Sequence, residues 1–209
     1  MPQRPDQSSI ANAAAARLGS TKRMGSIHDG SELSRHVVDQ WNGIITTMLA
    51  DHPWNFLIRR ATLNALTDAP GSEYAFQYAL PADCWRWLPW LPDDPDYFCG
   101  EAEGGNILTD AEAPIAIRYL SGEYADQVGR WPAHFATAVE LELAHRLAEP
   151  MTGSTSLARD MRDLAAEALM KAKKVDGLES NGRGGPNINS RSRWGKRRFL
   201  RHGVIPGMG

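Results

Sequence analysis

Leu33, Val37, Trp41, Ile44 and Met48 recur at steps of four, four, three and four, one apolar stripe at the 3.6-residue helical period. Ser31 stands just ahead of that stripe as an N-cap. Asp51-His52-Pro53 ends the helix, and because proline suits a first helical position, Trp54 to Leu66 is expected to form a second helix folding back on the first. Upstream, Ser8 or Ser9 is expected to cap an alanine-rich helix from Ile10 to Leu18, closed by Gly19 in the left-handed conformation. The helical period returns with Phe135, Val139, Leu143 and Leu147 and runs to Ala148, where Pro150 breaks it. A last helix follows Ser154-Thr155-Ser156, with Leu157, Met161, Leu164 and Ala168 facing inward and Lys171, Lys173 and Lys174 at its cation-favouring end.

Between these helices the period changes to two. Tyr74, Phe76, Tyr78 and Leu80 alternate with smaller or polar residues, as a half-buried strand requires, and Pro81 stops the run. Cys84–Leu88 reads as a returning strand, and Gly104-Gly105-Asn106 as a turn into a strand at Ile107–Thr109. Ile115–Leu120 reads as a last strand, with Ile115, Ile117 and Tyr119 on one face. Residues 87–96, which hold several prolines and Asp93, Asp94 and Asp96 around Trp87 and Trp90, are expected to form an exposed loop. The pattern therefore predicts a mainly α protein: a bundle of four to five helices with a small antiparallel β insertion at about residues 73–120, all within residues 1–178. An extended C-terminal arm, residues 179–209, is expected to order only on a partner, because it is rich in glycine and lacks periodicity.

Composition changes this picture in one respect. With 209 residues, 42% hydrophobic and 23% charged, the chain can bury one sizeable core. Its formal charge of −2 excludes a wholly basic nucleic-acid binder but conceals an uneven distribution. From Lys171 to Gly209 ten Lys and Arg face two acids, a local charge of +8 that leaves −10 for residues 1–170. No apolar stretch approaches the roughly 18 residues of a membrane span, and the N-terminal residues lack the apolar segment of a secretion signal, so a soluble protein with no membrane partner is expected. Cys84 and Cys99 are too few for a disulfide scaffold, which favours a reducing compartment.

Candidate chemistry is sparse. His28, His36, His52, His134, His145 and His202 show no metal-binding spacing, and the acidic run at 93–96 lacks the ligand pattern of a calcium loop, so neither a metal nor another cofactor is expected. Cys84 follows Asp83 but lies in no nucleophile motif and reads as a small buried strand residue; no catalytic residue, and hence no enzyme, is expected. The glycines from 177 to 182 have the spacing of a phosphate loop but follow a helix and lack its Lys and Ser/Thr. The strongest binding feature is the arm, where Arg191, Arg193, Lys196, Arg197, Arg198 and Arg201 interleave with Trp194 and Phe199. Such residues neutralise phosphates or anchor protein interfaces, and a nucleic-acid-binding module using this tail is the alternative reading.

Four segments together carry a resemblance: Asp-His-Pro-Trp-Asn-Phe-Leu-Ile-Arg-Arg-Ala-Thr-Leu (51–63), Tyr-Ala-Leu-Pro-Ala-Asp-Cys-Trp-Arg (78–86), Gly-Asn-Ile-Leu-Thr-Asp with Pro-Ile-Ala-Ile-Arg-Tyr (105–119), and the helix from Phe135 to Ser154. In this order they resemble the tail tubular protein A family, the head-to-tail adaptors of tailed bacteriophages. The resemblance implies a structural virion protein at the head–tail junction, made in the host cytoplasm. It would form a usually twelvefold ring between the portal protein and a tail or nozzle protein, with DNA passing through the lumen without sequence-specific binding. It further implies that Arg191, Arg193, Trp194, Lys196, Arg197, Arg198 and Phe199 face the portal, and that Trp87, Trp90, Asp93, Asp94 and Asp96 form a tail-side loop.

Overall fold

The computed structural model describes residues 5–180. Over them the chain is 46% helical and 17% strand, with four α-helices and two three-stranded antiparallel sheets. This is an α+β fold and corrects the expectation of a mainly helical bundle with a small β insertion.

Helix α1 (Gln7–Arg17) is capped by Asp6 and not by Ser8 or Ser9: the Asp6 carboxylate accepts the Ser9 N–H at 2.7 Å, and the Asp6 N–H donates to the Ser9 hydroxyl at 2.9 Å. Gly19, at φ 81°, closes the helix as expected, its N–H bonding to the Ala16 carbonyl while that of Ser20 reaches Ala15. Helix α2 (Glu32–Ala50) starts at Ser31, and every residue of its predicted stripe is buried.

The expected second helix at Trp54–Leu66 is absent. Asn55–Leu57 make one 3-10 turn, and Ile58–Leu63 form strand β1, paired antiparallel with Ile115–Ser121, the last strand, β6. Ile58, Ala61 and Leu63 fit a helical spacing as well as an extended one; the ladder to β6 settles the matter, since pairing outweighs a local propensity of a few tenths of a kcal/mol per residue. The remaining strands are β2 (Phe76–Ala79), β3 (Cys84–Leu88), β4 (Gly100–Glu103) and β5 (Asn106–Thr109). One sheet has the order β1-β6-β3, the other β2-β5-β4. Trp87 and Leu88 therefore belong to a strand and not to an exposed loop. The sheet residues run from 58 to 121, beyond the expected insertion at 73–120.

Strand β6 organises the layers. Ile115, Ile117 and Tyr119 on one face pack with Tyr78 and Ile107 of the second sheet, while Leu120 on the other joins the helical core. The helices thus lie on one side of the first sheet and the second sheet on the other. Helix α3 (Ala133–Thr152) continues through Pro150, which was expected to break it, and ends at Gly153. Helix α4 (Thr155–Ser180) buries Met161, Ala165 and Ala172, but Leu164, expected inward, is 42% exposed. In the centre of the helical core Trp41 stacks on Trp131 at 6.1 Å, and Phe135 receives Trp131 and Trp54 edge-on at 5.1 and 4.8 Å.

Candidate functional site

Arg191, Arg193, Trp194, Lys196, Arg197, Arg198 and Phe199 lie outside the described residues. The other expected surface, around residues 87–96, is placed by β3 and by the turns that follow it. Its two tryptophans are committed inward. Trp87 stacks on Phe98 at 5.7 Å, and its Nε1 is buried without a hydrogen-bond partner. Trp90 donates from Nε1 to the Ala116 carbonyl at 2.7 Å and lies against two guanidinium groups, Arg60 at 5.3 Å and Arg118 at 5.1 Å.

Those two arginines face each other across the β1–β6 ladder, where like charges directly opposite are destabilising. The Trp90 ring offers both a negative π face, and Arg118 also donates to the Pro89 carbonyl at 3.2 Å. The loop is held by its own turns: Asp94 accepts the Leu91 N–H at 2.9 Å through its carboxylate, and its backbone pairs with Leu91 and Tyr97. Asp93 and Asp96 are exposed. The large apolar groups turned to solvent here are Trp85, Leu91 and Tyr97, at 52%, 56% and 45% exposure.

The two most specific family-like segments make structural joints. In Leu80-Pro81-Ala82-Asp83-Cys84, the Asp83 carboxylate accepts from the hydroxyls of Tyr119 and Ser121, tying the start of β3 to the end of β6. Burial first, then the charge of Asp83, pushes the Tyr119 phenol up. Cys84 is half-buried, and burial followed by the Asp83 charge pushes its thiol up as well, away from the thiolate a nucleophile needs.

In Pro53-Trp54-Asn55-Phe56, Trp54 is buried and donates from Nε1 to the Met48 carbonyl at 2.8 Å. Asn55 reaches across to the end of α4: its N–H donates to the Asp176 carboxylate at 3.0 Å and its side-chain amide to the Asp176 carbonyl at 2.5 Å. The same carboxylate, 2% exposed, is met by His52 Nε2 at 3.0 Å, and Lys173 one turn earlier pairs with Asp51 at 2.5 Å. The segment after α2 therefore fastens the last turns of α4. Sequence reasoning missed this clasp, because Asp176 carries no motif and its partners lie far away along the chain. It also missed that His134 and Glu179 sit beside Asp176.

No helix among the described residues is long and apolar enough to cross a membrane. Compared with protein-family models and with curated proteins, the chain has no match.

Proposed function

We propose that the protein is a structural head-to-tail adaptor of a tailed bacteriophage, a ring-forming subunit that joins the portal to the tail and acts without turnover. The observation that carries the reading is the ordered set of segments at 51–63, 78–86, 105–119 and 135–154 that resemble tail tubular protein A. Two further features support it. The −10 body suits the wall of a channel through which DNA must slide without sticking, and the +8 C-terminal region supplies a separate, oppositely charged contact. Trp85, Leu91 and Tyr97 present the exposed apolar surface of an interaction face, beside the acids Asp93 and Asp96.

On this reading the basic C-terminal residues engage the portal and the face around Leu91 engages the tail. Changing Arg191, Arg193, Arg197 and Arg198 together to Glu in the full chain tests the first half. Binding to portal rings at physiological salt is expected to weaken at least tenfold, since several charge-assisted contacts of about 1.5–3 kcal/mol each are lost. Unchanged portal affinity would remove the basic residues from the interface.

A further inference from the structure

We propose that His134, Asp176 and Glu179 bind a divalent transition-metal ion where the end of α4 meets the start of α3. One ring nitrogen of His134 and one carboxylate oxygen from each acid lie within 4.8 Å of one another. Asp176 and Glu179 are three residues apart on α4 and so share a face, while His134 stands in the first turn of α3. Protein ligands at about 2.1 Å from a tetrahedral zinc stand roughly 3.4 Å from each other. The set is thus preassembled to within a side-chain adjustment, which the exposed and flexible Glu179 can supply.

A second observation points the same way. His134 Nε2 is buried without a hydrogen-bond partner, although a buried imidazole nitrogen ordinarily finds one. The unpartnered nitrogen belongs to the same imidazole that offers a ring nitrogen within 4.8 Å of the two carboxylates. Asp176 is already oriented as metal-binding carboxylates are, by the Asn55 N–H at 3.0 Å and His52 Nε2 at 3.0 Å, and its two oxygens retain lone pairs beyond those bonds. One imidazole with two carboxylates is a donor set for zinc, cobalt or manganese, whereas calcium and magnesium favour all-oxygen shells. A bound ion would lock the last turn of α4 to α3, next to the Asp51–Lys173 and Asn55–Asp176 contacts, and so stiffen the helix that leads into the basic C-terminal residues. This site does not depend on the adaptor reading.

The test uses the full chain, stripped with EDTA and desalted, with Zn²⁺ as probe in native mass spectrometry and thermal melts and Co²⁺ as a spectroscopic substitute. One Zn²⁺ per chain and a raised melting temperature are expected, with no such effect from Mg²⁺. Glu179→Gln, at an exposed position, should weaken binding about tenfold or more, and His134→Gln should weaken it further, to about a hundredfold. Both should remove the visible Co²⁺ bands, while His28→Gln leaves them intact. If His134→Gln does not fold, Glu179→Gln alone carries the comparison. The proposal is overturned if no stoichiometric Zn²⁺ binds at micromolar concentration, or if Glu179→Gln binds as tightly as the parent.

Discussion

The helical side and the sheet side of this molecule bury their aromatic residues in opposite ways. On the helical side Trp41, Trp54, Trp131 and Phe135 form one chain of ring contacts, and the indole nitrogens of Trp54 and Trp131 both donate to backbone carbonyls. On the sheet side the fully enclosed cluster is small, built on Tyr78, Ile107, Ile115, Ile117 and Tyr119. Around it Trp87 Nε1 and Arg118 Nε are buried without partners, and Trp85, Leu91 and Tyr97 are open to solvent. The aromatic rings of the helical core are paired and hydrogen-bonded internally, and the large apolar groups that α4 leaves in solvent are the aliphatic Leu164, Met170 and Leu178, whereas on the sheet side aromatic groups themselves, Trp85 and Tyr97, stay in solvent.

The largest expected effect strikes the helical side. Trp54→Ala removes a buried ring that touches Phe135 and leaves the Met48 carbonyl without its donor, so a loss of about 4 kcal/mol is expected in urea unfolding. A loss below about 1 kcal/mol would mean that this core is not close-packed. Trp90→Ala should cost less, about 2 kcal/mol, because the ring is only partly buried and its contribution lies in two cation–π contacts and one hydrogen bond. Rescue of that variant by Arg60→Thr would sharpen the comparison, since it relieves the facing charges that Trp90 shields.

Asp6→Ala should cost about 1 kcal/mol at neutral pH through loss of the α1 cap. The Ser9 backbone N–H, then the Ser9 side chain, hold the Asp6 carboxyl below its ordinary value. Its folded-state value is depressed, so the stabilisation is complete above the unfolded carboxylate range near about pH 4 and is lost as pH falls through the folded value. The difference between parent and variant in thermal melts should shrink on acidification, and a gap that persists at low pH would place the effect elsewhere. Trp87→Phe should change stability by less than about 0.5 kcal/mol, or raise it, because it deletes an unpartnered buried donor while keeping the stack on Phe98. Finally, a thiol reagent at neutral pH should label exposed Cys99 well before Cys84, whose thiol burial pushes up; equal rates would contradict the packing of β3.

The same contrast decides what was legible in the sequence. The α2 stripe from Leu33 to Met48 was readable because one helix face buries against one core, so local period and tertiary environment agree. Ile115, Ile117 and Tyr119 were readable for the same reason at period two. Strand β1 was not, because Arg59 and Arg60 interrupt any alternation and the partner strand β6 lies far along the chain. Strand β4, Gly-Glu-Ala-Glu, has no apolar signal at all. It is an edge strand, whose exposed acids keep the edge from pairing with other chains, and only the hairpin to β5 reveals it. The tryptophans at 87 and 90 were legible as a dense feature but not as inward-facing groups, since the arginines that receive Trp90 come from two different strands. The clasp on Asp176 joins the 52–55 segment to α4, and no spacing along a single element announces such a contact.

The adaptor reading is tested most directly by the mass of the full-length protein at physiological salt, alone and mixed with portal rings, measured by native mass spectrometry. A complex whose copy number matches the symmetry of the portal ring is expected, with no retention on free duplex DNA under the same conditions. A protein that ignores the portal and instead binds bare duplex, with log affinity falling steeply against log salt, would contradict it and make the basic C-terminal residues a phosphate-contacting arm.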